Sequence, residues 1–120
     1  MKNKVQRFED LEGWKESMRL AVQIYQTTVG WRDYSLRDQM QRATVSIPSN
    51  LAEGYERGAN REFVQFLNHA KGSSGELRTP IYLAMKLSRI DGEVSRQLLE
   101  KSRKVSAMLH RYIQVRKRDF

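Results

Sequence analysis

Apolar residues recur every three or four positions along most of the chain, which is the period of amphipathic α-helices. The first helix is predicted over residues 9–29, with a turn near Gly30 and Asp33. Leu20 and Ile24 are apolar but lie off the stripe that we predict to face the core. That predicted core stripe is Leu11, Trp14, Met18, Ala21, Val22, Tyr25 and Thr28.

The second helix is predicted to begin after Ser35, because serine commonly caps helix N-termini. Gly54 and Gly58 are stop signals near its end. Pro48 lies inside it, and an interior proline removes a backbone hydrogen bond at a cost of about 3 kcal/mol. Because the apolar spacing continues through Pro48, we expect one kinked helix. Ser46 and Asn50 lie on either side of Pro48 and are expected to satisfy carbonyl groups freed by the kink.

The third helix is predicted to follow Asn60, another capping residue, and to end near residue 90. Pro80 interrupts it and could bend it. Asp91 and Gly92 form the next turn. A fourth amphipathic helix is predicted over residues 93–116.

Four helices with short connections predict an all-α fold, an antiparallel up-down-up-down four-helix bundle. At 120 residues the chain is expected to form a single domain, 1–120, with a short basic arm at 1–8 and a basic end at 114–120. The last half of the third helix is apolar on most sides, which favours burial on most sides. We therefore predict a homo-oligomer. The candidate interface residues are Leu20, Ile24, Trp31, Tyr82, Leu83 and Leu87.

The net charge of +8 is concentrated near the C-terminus: residues 101–118 carry seven basic side chains and no acidic one. Most basic residues of the fourth helix fall within about a third of its circumference. A basic row can follow nucleic-acid phosphates. A solvated face that maintains solubility, or a face for an acidic protein, would show the same pattern. The candidate nucleic-acid-binding residues are Arg96, Arg103, Lys104, Arg111, Lys117 and Arg118.

Catalytic, metal and cofactor sites are not predicted. The chain has no cysteine, and His69 and His110 lack the spacing of metal ligands. The Gly-Ser-Ser-Gly stretch at 72–75 lacks the lysine of a phosphate loop. We expect its small residues to let two helices approach closely. No apolar run reaches the roughly 18 residues of a membrane span, and no signal peptide is apparent, so a cytoplasmic protein is expected.

Charged residues in the middle of the chain are expected to form ordinary ion pairs: Arg42, Glu53, Arg57, Glu62 and Glu76. The aromatic residues Trp14, Tyr25, Phe63, Phe66 and Tyr112 are expected to pack in the core.

Two stretches carry a resemblance to a known family. Residues 42–57 read Arg-Ala-Thr-Val-Ser-Ile-Pro-Ser-Asn-Leu-Ala-Glu-Gly-Tyr-Glu-Arg, and residues 62–77 continue the pattern from Glu62-Phe63 to Glu76-Leu77. With Phe8-Glu-Asp-Leu11, they resemble the four-helix-bundle proteins encoded in intervening sequences of bacterial 23S ribosomal RNA genes. The resemblance covers about residues 8–90.

The resemblance implies a four-helix bundle, a ring of five subunits and no established enzymatic activity. It also implies kinship with the accessory variability determinant of diversity-generating retroelements, a basic pentamer that binds nucleic acid and a reverse transcriptase. Two functions follow as hypotheses. In the first, the oligomer binds RNA or an RNA/DNA hybrid through the basic faces of the fourth helices. In the second, the oligomer is a scaffold for a protein partner and binds no nucleic acid.

Overall fold

The computed structural model describes residues 4–118, which contain a short 3-10 helix and four α-helices but no strand. The elements are the 3-10 helix Phe8–Asp10, α1 Glu12–Thr28, α2 Tyr34–Arg57, α3 Asn60–Lys86 and α4 Gly92–Lys117. Helices that are consecutive in the chain pack on each other, and α1 packs on α4 to close the ring. The predicted four-helix bundle is confirmed. Residues 1–3 of the predicted basic arm and 119–120 of the basic end lie outside the described residues.

The starts of two helices differ from the prediction. Asp33, rather than Ser35, is the N-cap of α2, and its Oδ1 accepts a hydrogen bond from a first-turn amide at 3.2 Å. Helix α3 begins at Asn60 itself, so Ala59 takes the cap position. The Asp91 carboxylate caps α4 by accepting hydrogen bonds from two amides of the first turn. Short polar side chains at helix starts satisfy amides that have no partner within the helix.

Two glycines predicted as stop signals have different roles. Gly58 ends α2 in the left-handed conformation, with φ of 84°. Gly54 lies inside α2 and is buried. A Cβ atom at Gly54 would lie 2.6 Å from the Cβ of Phe66, so the missing side chain lets α2 and α3 approach closely. The prediction that Gly54 ends the helix is wrong.

Both interior prolines lie within continuous helices. The apolar spacing through Pro48 predicted this for α2, whereas Pro80 was expected to interrupt α3. Near Pro48, the Asn50 side-chain amide donates to the Ser46 carbonyl at 2.8 Å and contacts the Ser46 hydroxyl at 3.0 Å. The carbonyl that a proline frees lies four residues earlier, at Thr44. The predicted local bonding by Ser46 and Asn50 is therefore present, but it serves a neighbouring carbonyl. The bend angles at Pro48 and Pro80 remain predictions.

The face of α1 that points into the core was predicted only in part: Leu11, Ala21 and Thr28 of the predicted stripe are buried. Leu20 and Ile24 are completely buried. Met18, Val22 and Tyr25, which were assigned to the core stripe, are 39%, 51% and 46% exposed. Helix α1 is apolar on two faces, and helical period alone does not distinguish them. The face that is buried also carries small residues, which allow close packing against the neighbouring helices.

Close packing is visible where α1 meets α4. A Cβ atom at Gly13 would lie 2.8 Å from the Tyr112 ring, and the Gly13 amide donates a 2.8 Å hydrogen bond to the Tyr112 hydroxyl. Burial raises the pKa of the Tyr112 phenol, which keeps it neutral. On the other side of α4, the Ser74 and Ser102 hydroxyls lie 2.8 Å apart in the interior. The predicted close approach at residues 72–75 is present at Ser73 and Ser74, which contact Ser46 of α2 and Ser102 of α4, but a Cβ atom at Gly72 or Gly75 would meet no other helix within 4 Å.

We predict opposite effects of the same substitution at two glycines. Gly54→Ala forces a methyl group against Phe66 and should lower the free energy of unfolding by about 1–3 kcal/mol. Gly72→Ala adds a methyl group to a helix position with no neighbour within 4 Å. It should raise stability by about 0.5–1 kcal/mol, because alanine has the higher helix propensity. Urea denaturation measures both values, and equal effects of the two substitutions would contradict the packing at Gly54.

Candidate nucleic-acid interface

Helix α4 presents its basic residues to solvent. Its buried side carries Leu98, Val105 and Leu109, so residues half a turn away must face outward. All six candidate nucleic-acid-binding residues are exposed. Their partners nevertheless divide them into two groups, which the sequence analysis did not separate.

Arg96 and Lys104 are compensated by carboxylates. Arg96 lies 2.7 Å from Glu100 and also pairs with Glu93. The hydrogen bond to Glu93 raises the pKa of Arg96. The neighbouring carboxylates offset the positive charge of Arg96 on the helix surface. Lys104 Nζ lies 3.6 Å from a carboxylate oxygen of Glu16 on α1. These two cations therefore contribute less to the external field than their exposure suggests.

The other four candidates form no ion pair with a described residue. Arg103 contacts the Tyr82 hydroxyl, which is neutral. Arg111, Lys117 and Arg118 are exposed, and no carboxylate within residues 4–118 lies at ion-pair distance from them. The positive potential of α4 therefore comes mainly from its C-terminal half.

Helix α3 adds two cations that the sequence analysis missed. Lys71 Nζ lies 3.2 Å from His110 Nδ1 on α4, and Arg78 reaches serine hydroxyls of α4. Lys71 and Arg78 are seven residues apart and therefore share a face of α3. Only the packing of α3 against α4 reveals that this face continues the basic side of α4. We use the name α3–α4 groove for this surface, defined by Lys71, Arg78, Arg103 and His110 with Tyr82 at one end.

The middle of the chain holds part of the predicted ion-pair set. Arg57 lies 2.8 Å from Glu53 and 3.3 Å from Glu62, which confirms structural pairing at the end of α2. Arg42 and Glu76 line a shallow surface depression between α2 and α3 but form no ion pair with a described residue. These charges show no convergence on a cleft that would suggest acid–base chemistry.

The predicted interface residues do not lie on one surface. Leu20 and Ile24 are completely buried inside the subunit, so they are withdrawn as interface residues. Trp31 is partly buried against the core. Leu83 in the last turn of α3 and Leu87 at its C-cap position are 47% and 44% exposed. Tyr82, the remaining candidate, is also exposed but contacts Arg103 in the α3–α4 groove.

An apolar groove between α1 and α2 was not anticipated. It has a volume of about 540 Å³ and no charged residue in its lining. Phe8 packs edge-to-face on Trp14 beside it, with ring centroids 5.5 Å apart. The α1–α2 and α3–α4 pairs lie on opposite sides of the four-helix bundle, so this apolar groove faces away from the α3–α4 groove. We use the name α1–α2 groove for it. Its main lining residues are Trp14, Met18, Val22, Tyr25, Val45, Pro48 and Ala52.

Several other kinds of site are not found in the described part of the chain. Histidine, aspartate and glutamate form no group that could hold a metal ion within residues 4–118. His69 packs edge-to-face on Phe66, and His110 contacts Lys71. None of the helices in that range is long and apolar enough to cross a bilayer.

Comparison with protein families decides the relationship suggested by the central motifs. A model of the 23S rRNA-intervening sequence protein matches residues 9–111. The chain belongs to the 23S rRNA-intervening sequence protein family. The matched range includes both stretches that carried the resemblance and most of α4.

A solved structure from Bacteroides thetaiotaomicron VPI-5482 has the same fold as this family member, with a TM-score of 0.79. It is described as a protein with unknown function from the S23 ribosomal protein family. The two sequences are 22% identical, and the similarity covers 84% of this chain and 97% of that one. Comparison with curated proteins gives no match. The comparisons thus establish the family and the fold, and the evidence on function lies in the charges and apolar residues on the surface.

Proposed function

We propose that the chain is a non-enzymatic, homo-oligomeric helical bundle that binds RNA or an RNA/DNA hybrid through its basic side. The observation that carries the proposal is a side formed by α3 and α4 on which most cations have no carboxylate partner. Uncompensated cations favour a polyanionic ligand, because binding releases the counterions condensed on its phosphates. The sequence contains no stacking-platform motif of the RNA-recognition or OB type, which favours recognition of backbone and shape over base sequence.

The α1–α2 groove supports self-association. Exposed contiguous apolar surface commonly marks a site of protein–protein contact. Leu83 on α3 and Leu87 at its C-cap position expose apolar surface elsewhere on the subunit. Two different patches suit a ring, because each contact in a ring joins one surface of a subunit to a different surface of its neighbour. Five subunits would agree with the family resemblance and would repeat the basic side around the ring, which adds avidity.

A scaffold that binds a protein partner without nucleic acid is the second candidate function. The uncharged lining of the α1–α2 groove favours it, because such a groove suits an apolar protein segment. The absorbance ratio at 260 and 280 nm of the freshly purified protein distinguishes the two functions. Co-purified nucleic acid favours the first, and nuclease-resistant recovery of a protein partner favours the second.

The first prediction concerns RNA binding by charge-matched variants. Arg103→Gln, Arg111→Gln and Lys117→Gln together should weaken binding of a fluorescein-labelled RNA hairpin. The logarithmic salt slope should fall by up to about 3, since each lost phosphate contact removes about 0.9. Fluorescence anisotropy over a range of KCl concentrations measures both quantities.

The control variant carries Lys15→Gln, Arg32→Gln and Arg37→Gln. Both triple variants lower the net charge by the same three units, but the control changes residues of α1, the α1–α2 connection and α2. The control should retain most of the affinity and the wild-type salt slope. Equal losses in the two variants would mean that only net charge matters and would reject the proposed surface.

The second prediction concerns subunit number. Val22→Glu and Leu83→Glu should each reduce the mass measured by light scattering towards 14.1 kDa, the mass of one chain. Each substitution would bury an unpaired carboxylate in the proposed contact. Val29→Glu is the matched control, because Val29 is 77% exposed and lies outside the α1–α2 groove. A wild-type protein that remains at 14.1 kDa at high concentration would refute self-association.

A further inference from the structure

Three cations in the α3–α4 groove have no carboxylate partner among the described residues. Lys71 contacts His110 Nδ1, and Arg103 contacts the Tyr82 hydroxyl. Arg96 and Lys104 on the outer face of α4 are paired with glutamates, whereas Arg111, Lys117 and Arg118 form no ion pair with a described residue. The groove therefore holds three cations without a carboxylate partner among the described residues, in addition to the unpaired cations in the C-terminal half of α4.

Arg78, the third cation, is held in an unusual way for a charged residue. Its Nη1 lies 3.1 Å from the hydroxyl oxygen of Ser74 and 3.0 Å from those of Ser102 and Ser106. Ser74 and Ser102 are completely buried and join α3 to α4. Arg78 forms no ion pair with a described residue. Three neutral hydroxyls fix the position of the guanidinium without neutralising its charge.

The fixed Nη1 leaves the other end of the guanidinium with donors to spare. Arginine has five N–H donors in a planar fork, so Nη2 and Nε still offer three. A side chain already held in place loses little entropy when it binds an anion. Beside it, Gly75 has no side chain, and a Cβ atom there would lie 3.9 Å from Nη2. One turn away, Gly72 has no neighbour within 4 Å, so the approach along α3 is open.

We propose that Arg78 is a phosphate-contact residue that grips the backbone of a bound nucleic acid, with Lys71 and Arg103 on either side. This inference rests on the proposed function and moves the centre of the site from the outer face of α4 into the α3–α4 groove. Lys71 and Arg78 are about 10 Å apart along the axis of α3, given a rise of 1.5 Å per residue. A nucleic-acid strand supplies charges repeatedly over that distance. A row of cations without carboxylate partners therefore suits a ligand with repeating negative charges better than it suits a ligand with a single carboxylate.

The test compares Arg78→Gln with Arg37→Gln in the RNA anisotropy assay. Arg37 is the matched control, because it is an arginine of α2 that pairs with Asp38 at 3.0 Å. Arg78→Gln keeps an amide that can bond to the serines but removes the charge. It should weaken binding about tenfold and lower the salt slope by about one, whereas Arg37→Gln should change neither. Circular dichroism checks that helix content is retained.

If Arg78→Gln does not fold, Arg78→Lys replaces it in the test. Lysine keeps the charge but not the fork, so affinity should fall several-fold while the salt slope is maintained. Wild-type RNA affinity in whichever Arg78 variant folds overturns the inference. The proposed function still stands in that case if the variant carrying Arg103→Gln, Arg111→Gln and Lys117→Gln binds RNA more weakly. Failure of the wild-type protein to bind both the RNA hairpin and an RNA/DNA hybrid rejects both. Displacement of RNA by polyglutamate at equal charge concentration would show an acidic-protein site instead and would also overturn the inference.

Discussion

Close approach between helices at positions with little or no side chain is the constraint on which the structure depends. Gly54 lets α2 meet the aromatic side of α3, and Gly13 lets α1 meet the Tyr112 ring of α4. Ser74 and Ser102 join α3 to α4 through buried hydroxyls. Protein interiors are packed as densely as organic crystals, so such contacts fix the rotation of each helix about its axis. That rotation decides which side chains reach the core and which remain outside.

The fixed rotations separate the surface into two different sides. On the α1–α2 side, an apolar strip remains exposed because Leu20 and Ile24 already fill the core. On the α3–α4 side, cations gather whose partners are hydroxyls and an imidazole. Self-association and binding of a polyanion therefore require different surfaces, so one need not obstruct the other. The two proposed activities can consequently be removed separately by substitution.

The sequence predicted the elements of the fold better than their contacts. Helical period and turn residues identify four helices, because those signals are local. The prediction left Leu20 and Ile24 out of the inward face of α1, since Val22 and Ile24 are both apolar and only packing chooses between them. The pairing of Arg96 with glutamates three and four residues away follows from spacing and could have been read from the sequence. The serines that hold Arg78 include two from α4, 24 and 28 residues further along the chain, so no local signal indicates them.

The central claim is that bound nucleic acid lies on the α3–α4 side and leaves α1 uncovered. Amine acetylation of the wild-type protein, with and without an RNA hairpin, tests it when each lysine is followed by mass spectrometry. The account predicts that RNA slows acetylation of Lys71 and Lys117 and leaves the rate at Lys15 on α1 unchanged. Protection of Lys15 with an unchanged rate at Lys71 would contradict it.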